Sequence, residues 1–287
     1  MNEPFRRRRV QCASPTGLHR IAYYEWGDPK NDRVVVCVHG LSRCARDFDF
    51  LAEHLAGDFR VVTVDLPGRG ESDWLAQPLE YVVPTYVNDL VTLIARLDVE
   101  SVYWVGTSLG ALTGMVIAAQ PETPIRRYVA NDFGPVITAV ALERIGTYIG
   151  KAPTFSSFAD AEAYVRAVSA PFGPHTDAQW RTLTEHVVRP LPDGGFRMHY
   201  DPKIAEPYNA QRPFKDTDLW AVWDAVRAPT LLLRGAESDL LTHETALEMT
   251  RRGPKAELVE FPGVGHAPTL LAATQIAPIR EFLLRPS

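Results

Sequence analysis

The stretch Val102-Tyr103-Trp104-Val105-Gly106-Thr107-Ser108-Leu109-Gly110 decides how this chain is read. β-Favouring residues run into Gly-x-Ser-x-Gly, and a helical run of small and apolar residues, Leu109 to Gln120, follows until Pro121 closes it. A serine on so tight a strand-to-helix turn is held strained and exposed. The flanking Gly106 and Gly110 are required because the turn leaves no room for Cβ atoms. The pentapeptide alone is only moderately specific, and a serine in an ordinary glycine-rich turn is the plain alternative. Its position, after a strand and opening a helix, makes Ser108 a candidate nucleophile.

Strands and helices alternate outward from this point. Upstream, Arg8 to Ser14 and His19 to Trp26 read as strands around the turn Pro15-Thr16-Gly17. Val34 to Val38 is a continuous apolar run, as a strand buried on both faces should be. Asp47 to Ala56 reads as a helix, Arg60 to Asp65 as a strand, and Thr85 to Leu97 as an amphipathic helix. Tyr128 to Asp132 is another short strand. From Phe133 to about Trp223 the rhythm changes: helical stretches (Ile137 to Ile149, Phe158 to Val168, Asp177 to Val188) follow one another without buried strands between them. The alternation resumes with the strand Thr230 to Arg234, the helix His243 to Arg251, the strand Glu257 to Phe261 and a helix from about Leu270 to Leu284. This predicts an α/β core, residues 1–133 and 224–287, interrupted by a helical insertion, 134–223. The core sheet should be mostly parallel with helices on both faces.

Composition narrows the function classes. The chain has 287 residues, 46% hydrophobic and 23% charged, with a net charge of −5. Nothing here points to nucleic acid or an anionic membrane as partner. The basic run Arg6 to Arg9 reads as the solvated face of a first strand. Cys12, Cys37 and Cys44 are too few and too irregularly spaced for a disulfide framework or a zinc site, and Cys37 reads as a small core residue. No apolar core follows the N-terminal basic residues, and no apolar run approaches the ~18 residues of a membrane helix. A cytoplasmic protein without membrane insertion, acting on a small-molecule substrate, is expected.

In parallel sheets the working residues gather at the carboxyl ends of the strands. Those ends carry His39-Gly40-Leu41, Asp65, Ser108, Asp132, the Gly235 to Asp239 loop and His266. A hydroxyl needs a base within hydrogen-bond reach, and the base needs a third group to fix its tautomer. His266, in the small-residue loop Gly263-Val264-Gly265-His266-Ala267-Pro268, is the natural base. The third group has two main candidates. Asp239 lies one strand–helix unit before His266, which suits a short reach, and is favoured. Asp132 also satisfies the order Ser, Asp, His; its plain reading is a pocket-lining or turn residue. Glu237 is a weaker third option. The oxyanion needs donors too: the backbone N–H of Leu109, at a helix N-terminus, and that of Leu41, after His39-Gly40.

With these residues in hand, the chain resembles proteins of the α/β-hydrolase fold, specifically the compact capped kind grouped with bacterial esterases, lactonases and C–C bond hydrolases. The matching pieces are Val38-His39-Gly40, Asp65 to Ser72, Gly106 to Gly110, Pro229 to Gly235 with Ser238-Asp239, and Gly265-His266. They span nearly the whole chain in order. The resemblance implies an eight-stranded, mostly parallel sheet, Ser108 as nucleophile, Asp239 as acid, His266 as base, no cofactor and a helical cap over the site. Residues 133–223 match no substrate-specific pattern.

The remaining candidates carry less. Thr184-Glu185-His186 and His243-Glu244 lack the second histidine that a zinc motif needs, so no metal is expected. His39 should orient the oxyanion loop. Arg43 would meet an acidic substrate, or form a surface salt bridge. His39, Arg43, Asp132 and Phe133 are thus the candidate pocket residues. Phe155, Phe158, Phe172, Trp180 and Phe214 would line an acyl pocket or pack the insertion. The expected chemistry is acyl transfer from a small to medium carboxylic ester or lactone. Hydrolysis of a C–C bond in a vinylogous diketone is the competing enzyme reading. A non-catalytic ligand-binding scaffold is the competing class.

Overall fold

The computed structural model describes residues 3–192 and 194–286. Eight strands form the main sheet: β1 (Phe5–Ser14), β2 (Gly17–Trp26), β3 (Val34–Val38), β4 (Arg60–Val64), β5 (Val102–Thr107), β6 (Ile125–Asn131), β12 (Thr230–Gly235) and β13 (Glu257–Phe261), with β7 to β11 lying in the inserted segment. Their spatial order is β1-β2-β4-β3-β5-β6-β12-β13. β1 pairs antiparallel with β2 and β2 with β4, while every later pairing is parallel.

The period of two assigns the layers. In β3, Val34, Val36 and Val38 enter one core while Val35 and Cys37 enter the other. In β5, Val102 and Trp104 go one way, Tyr103 and Val105 the other. The first core is covered by α2 (Val83–Arg96) and α3 (Leu109–Ala118), through residues such as Leu90, Leu93, Ala111 and Met115. The second is covered by α1 (Asp49–Leu55) and α10 (Ala273–Leu284), through Leu51, Leu55, Ile276, Ile279 and Phe282. The basic run of β1 is solvated, with Arg6 paired to Glu25 and Arg9 near Asp73.

Between β6 and β12 the chain leaves the sheet. It forms α4 (Ala139–Gly146), α5 (Phe158–Val168), α6 (Asp177–Val187), α7 (Ala205–Asn209) and α8 (Trp220–Ala225). A two-stranded ribbon, β7 (Val136–Ile137) with β11 (Thr217–Asp218), closes its base. A small sheet orders β8 (Thr154–Phe155), β10 (Phe196–Met198) and β9 (Val188–Pro190). The sequence pattern showed α4, α5 and α6 but neither the short helices α7 and α8 nor these strands: each strand is two or three residues long, too short to show a period. Helix α9 (His243–Met249) then links β12 to β13.

The segment rests on the loops at the carboxyl ends of the core strands. Asp201 N–H donates to Gly68 O at 2.8 Å, and Tyr81 donates to Asp201 at 2.7 Å. His175 Nε2 lies 2.8 Å from Thr269 Oγ1, and Arg189 pairs with Glu71. Its aromatic residues mostly pack on one another, Phe155 on Tyr164, Phe158 on Phe196 and Phe214 on Tyr208. Among the described residues no helix is long and apolar enough to cross a membrane.

Candidate active site

β5 delivers Ser108 to a sharp turn, where its backbone sits at φ 53°, ψ −112°, a region that side chains other than glycine rarely occupy. The turn is possible because its neighbours are glycines: a Cβ on Gly106 would collide with the Gly110 carbonyl, and one on Gly110 with the Val38 carbonyl. Ser108 N–H donates to Asn131 O at 3.0 Å, tying the turn to β6.

His266 arrives from the loop after β13. Its Nε2 lies 3.0 Å from Ser108 Oγ, and its Nδ1 lies 2.7 Å from Asp132 Oδ2. A carboxylate only accepts, so the imidazole carries its hydrogen on Nδ1, leaving Nε2 free to accept from the serine hydroxyl. Asp132 follows β6 directly, has φ 55° and is fully buried. Burial of a carboxylate is costly unless donors surround it. Here Gly235 N–H reaches Oδ1 at 2.9 Å, and the Ser238 hydroxyl reaches Oδ2 at 2.6 Å.

This corrects the expected third group. Asp239 does not stand against His266: its side chain is 52% exposed, and its two oxygens go to Arg144 of α4, at 2.5 Å to Nε and 3.0 Å to Nη2. The turn after β12 points alternate residues inward and outward, so Ser238 is buried while Glu237 and Asp239 face out. Sequence proximity to His266 was the misleading cue. β12 lies between β6 and β13, and the His266 loop passes over its end, where Asn131 also donates to Pro268 O, to meet Asp132 at the end of β6.

The loop after β3 is held from behind. A Cβ on Gly40 would stand 3.7 Å from Ser108 Cβ, so the Gly40–Leu41 peptide borders Ser108. Among the described residues the Leu41 N–H has no backbone acceptor. The Leu109 N–H lies in the first turn of α3, where helix geometry provides no acceptor either. His39 borders a small cavity together with Gly40, Arg43 and Thr107, and its ring is buried and braces the loop. Its Nε2 accepts from Leu66 N–H at 3.0 Å, so Nδ1 carries the hydrogen and donates to Gly40 O at 2.7 Å. That carbonyl belongs to the same peptide unit as the Leu41 N–H, so the bond both fixes and polarises it. Burial pushes the His39 imidazole down to about 3, which keeps it neutral in this role.

Arg43 already has its anion. It forks onto Asp47 at 2.6 and 2.7 Å and donates to Leu183 O of α6 at 3.4 Å, so it fastens the inserted segment while bordering the cavity beside Gly40. Phe133 is buried next to Asp132. Sequence reasoning missed Ser238 and Asn131. The latter, fully buried, donates to Thr107 Oγ1 at 3.0 Å and Pro268 O at 2.8 Å, joining the serine strand to the histidine loop. Both are ordinary polar residues, and only their contacts reveal them.

One group of metal-ligand type occurs among the described residues, Cys12, His19 and Asp89, all buried. His19 Nε2 lies 2.8 Å from Asp89 Oδ2, a bond that ties the β1–β2 hairpin to α2 far from Ser108 in the fold.

A strained serine on a strand–helix turn, meeting a histidine and a buried aspartate that other strand ends of one sheet deliver, marks a family as well as a site. Residues 35–279 match the model of the alpha/beta hydrolase family. The chain belongs to that family. This hydrolase is 50% identical over 280 residues, 95% of its own length and 96% of the other's, to a 3-hydroxybutyrate-oligomer hydrolase of Cupriavidus necator. It is 29% identical to a 2-(acetamidomethylene)succinate hydrolase of Mesorhizobium japonicum, over 79% of each chain. Among solved structures it matches an alpha/beta hydrolase from Novosphingobium aromaticivorans with a TM-score of 0.89 and 36% identity, covering 99% of both chains.

Proposed function

We propose that this hydrolase cleaves the ester bonds of short 3-hydroxybutyrate oligomers through an acyl-enzyme on Ser108. The observation that carries the chemistry is the unbroken chain Ser108 Oγ, His266, Asp132, with steps of 3.0 and 2.7 Å. The substrate class rests on the likeness, end to end, to the oligomer hydrolase. His266 Nε2 takes the Ser108 proton as Oγ bonds to the ester carbonyl carbon. The carbonyl electron pair moves to oxygen, and the Leu41 and Leu109 N–H groups receive that oxyanion, each such donor being worth about 3 kcal/mol of barrier. The intermediate collapses with loss of the hydroxyl end of the next unit, which takes the proton from His266. Water then gives a proton to His266, its oxygen attacks the acyl carbon, and Ser108 leaves with that proton. Asp132 holds the imidazole and stabilises its charged form throughout. The segment 134–223 acts as the cap, closing the site from the side opposite the sheet. No step calls on a cofactor.

The test has two readings. A fluorophosphonate probe should label one serine per chain, with labelling lost in Ser108→Ala. The hydroxybutyrate dimer and trimer should release monomer, followed by chromatography. Labelling without oligomer turnover sinks the substrate assignment alone; neither labelling nor turnover of p-nitrophenyl butyrate sinks the mechanism.

A further inference from the structure

Ser238 stands on the loop after β12, 7% exposed, with no part in the expected chemistry. Its oxygen is crowded in a particular way. Leu240 N–H points at it from 3.3 Å and Leu241 N–H from 3.2 Å, while Asp132 Oδ2 lies 2.6 Å away. A hydroxyl has one hydrogen and two lone pairs. The two amides take the lone pairs, so the hydrogen goes to Asp132. It reaches the same carboxylate oxygen that accepts from His266 Nδ1 at 2.7 Å. Among the described residues the other oxygen is held by Gly235 N–H alone, at 2.9 Å.

We infer that Ser238 is a positioning residue of this active site, locking the Asp132 carboxylate in the rotation that serves His266. The inference rests on the triad reading above. Without the hydroxyl, the carboxylate would be pinned at one oxygen and free to pivot about it, and the His266 Nδ1–H would lose its fixed acceptor. Because the imidazole becomes charged only as the reaction proceeds, the loss should fall on the chemical step. Ser238 acts through Asp132, not through substrate, so binding should be spared.

The test compares Ser238→Ala, Ser238→Thr and Asp132→Asn, with and without Ser238→Ala, using p-nitrophenyl butyrate and the rate of fluorophosphonate labelling. Ser238→Ala should lower kcat about tenfold with KM within about twofold, and slow labelling in parallel. Ser238→Thr, which keeps the hydroxyl, should recover most of kcat. Added to Asp132→Asn, Ser238→Ala should cost nothing further, an outcome that a merely structural role would not give. Unchanged kcat in Ser238→Ala, a rise in KM alone, or full additivity with Asp132→Asn overturns the inference. If the alanine variant does not fold, low kcat in a folded Ser238→Thr overturns it, and wild-type kcat there supports it. Wild-type turnover and labelling, measured first, decide the triad reading separately.

Discussion

The loops after β6 and β12 leave neighbouring parallel strands, each carries an aspartate, and they use it in opposite ways. Asp132, at the end of β6, is fully buried, has a positive φ and receives three protein donors. Asp239, beyond the end of β12, is half exposed and paired with one arginine of the inserted segment. Distance along the chain favours Asp239, yet it is Asp132, 134 residues away, that contacts His266. What separates them is the environment. A carboxylate without water must be held by fixed donors, and fixed donors are what an orienting acid needs. A carboxylate in water is free to pair with whatever cation passes.

The largest expected effects break or keep this contrast directly. Ser108→Ala should lower kcat by about a million-fold, to background, and His266→Ala by as much, because the two act as a unit. Asp132→Asn should cost about ten-thousand-fold, as it presents the wrong hydrogen-bonding partner to Nδ1, with the circular dichroism spectrum unchanged. A loss of that size in Asp239→Asn, with Asp132→Asn active, would reverse the assignment.

What was legible in the sequence follows the same division. β3 and β13 were readable to the residue, and so was α5, because continuous burial or a clear period marks them. That Ser108 and His266 meet was readable because each sits among glycines that make a particular turn. Which aspartate meets His266 was not, since that depends on strand order and on which way a loop residue points. Neither leaves a local trace. Arg43 shows the same limit from another side: the sequence offers a substrate contact or a salt bridge, and the ion pair with Asp47 appears only in the fold. The strands β7 to β11 were invisible for a simpler reason, being too short to show alternation.

A smaller effect extends the contrast between buried and solvated groups to pH. Burial pushes His39 down to about 3, and His186 and His199 down to about 4. Their ordinary value is 6.5, so as pH falls below that, the unfolded chain takes up protons that the fold refuses, and stability drops. Asp65 works the other way. Burial raises its carboxyl to about 6, so it contributes stability at low pH that is lost as pH rises through 6. Asp49 and Asp89, also raised by burial, act with it. Each imidazole is displaced further than the Asp65 carboxyl, so the histidines should prevail. Tm should fall by roughly 5 °C between pH 7 and pH 4.5 by scanning calorimetry. A higher Tm at pH 4.5 would mean that the raised carboxyls dominate.

The smallest effect belongs to Asp239 itself, and it tests the contrast from its weak side. The Arg144–Asp239 pair has two short contacts, but its side chains are 35% and 52% exposed. Pairs in that setting contribute about 0–1 kcal/mol, and salt screens them. Asp239→Asn should therefore leave kcat within about twofold and lower Tm by no more than roughly 2 °C in dilute buffer, with the difference fading in 0.5 M salt, a concentration at which the Debye length is only about 4 Å. The buried Asp132 contacts should show no such fading, because solvent ions do not reach them. If the cost of Asp239→Asn persists in high salt, Asp239 is acting through fixed hydrogen bonds as Asp132 does, and the two strand ends differ less than their exposure says.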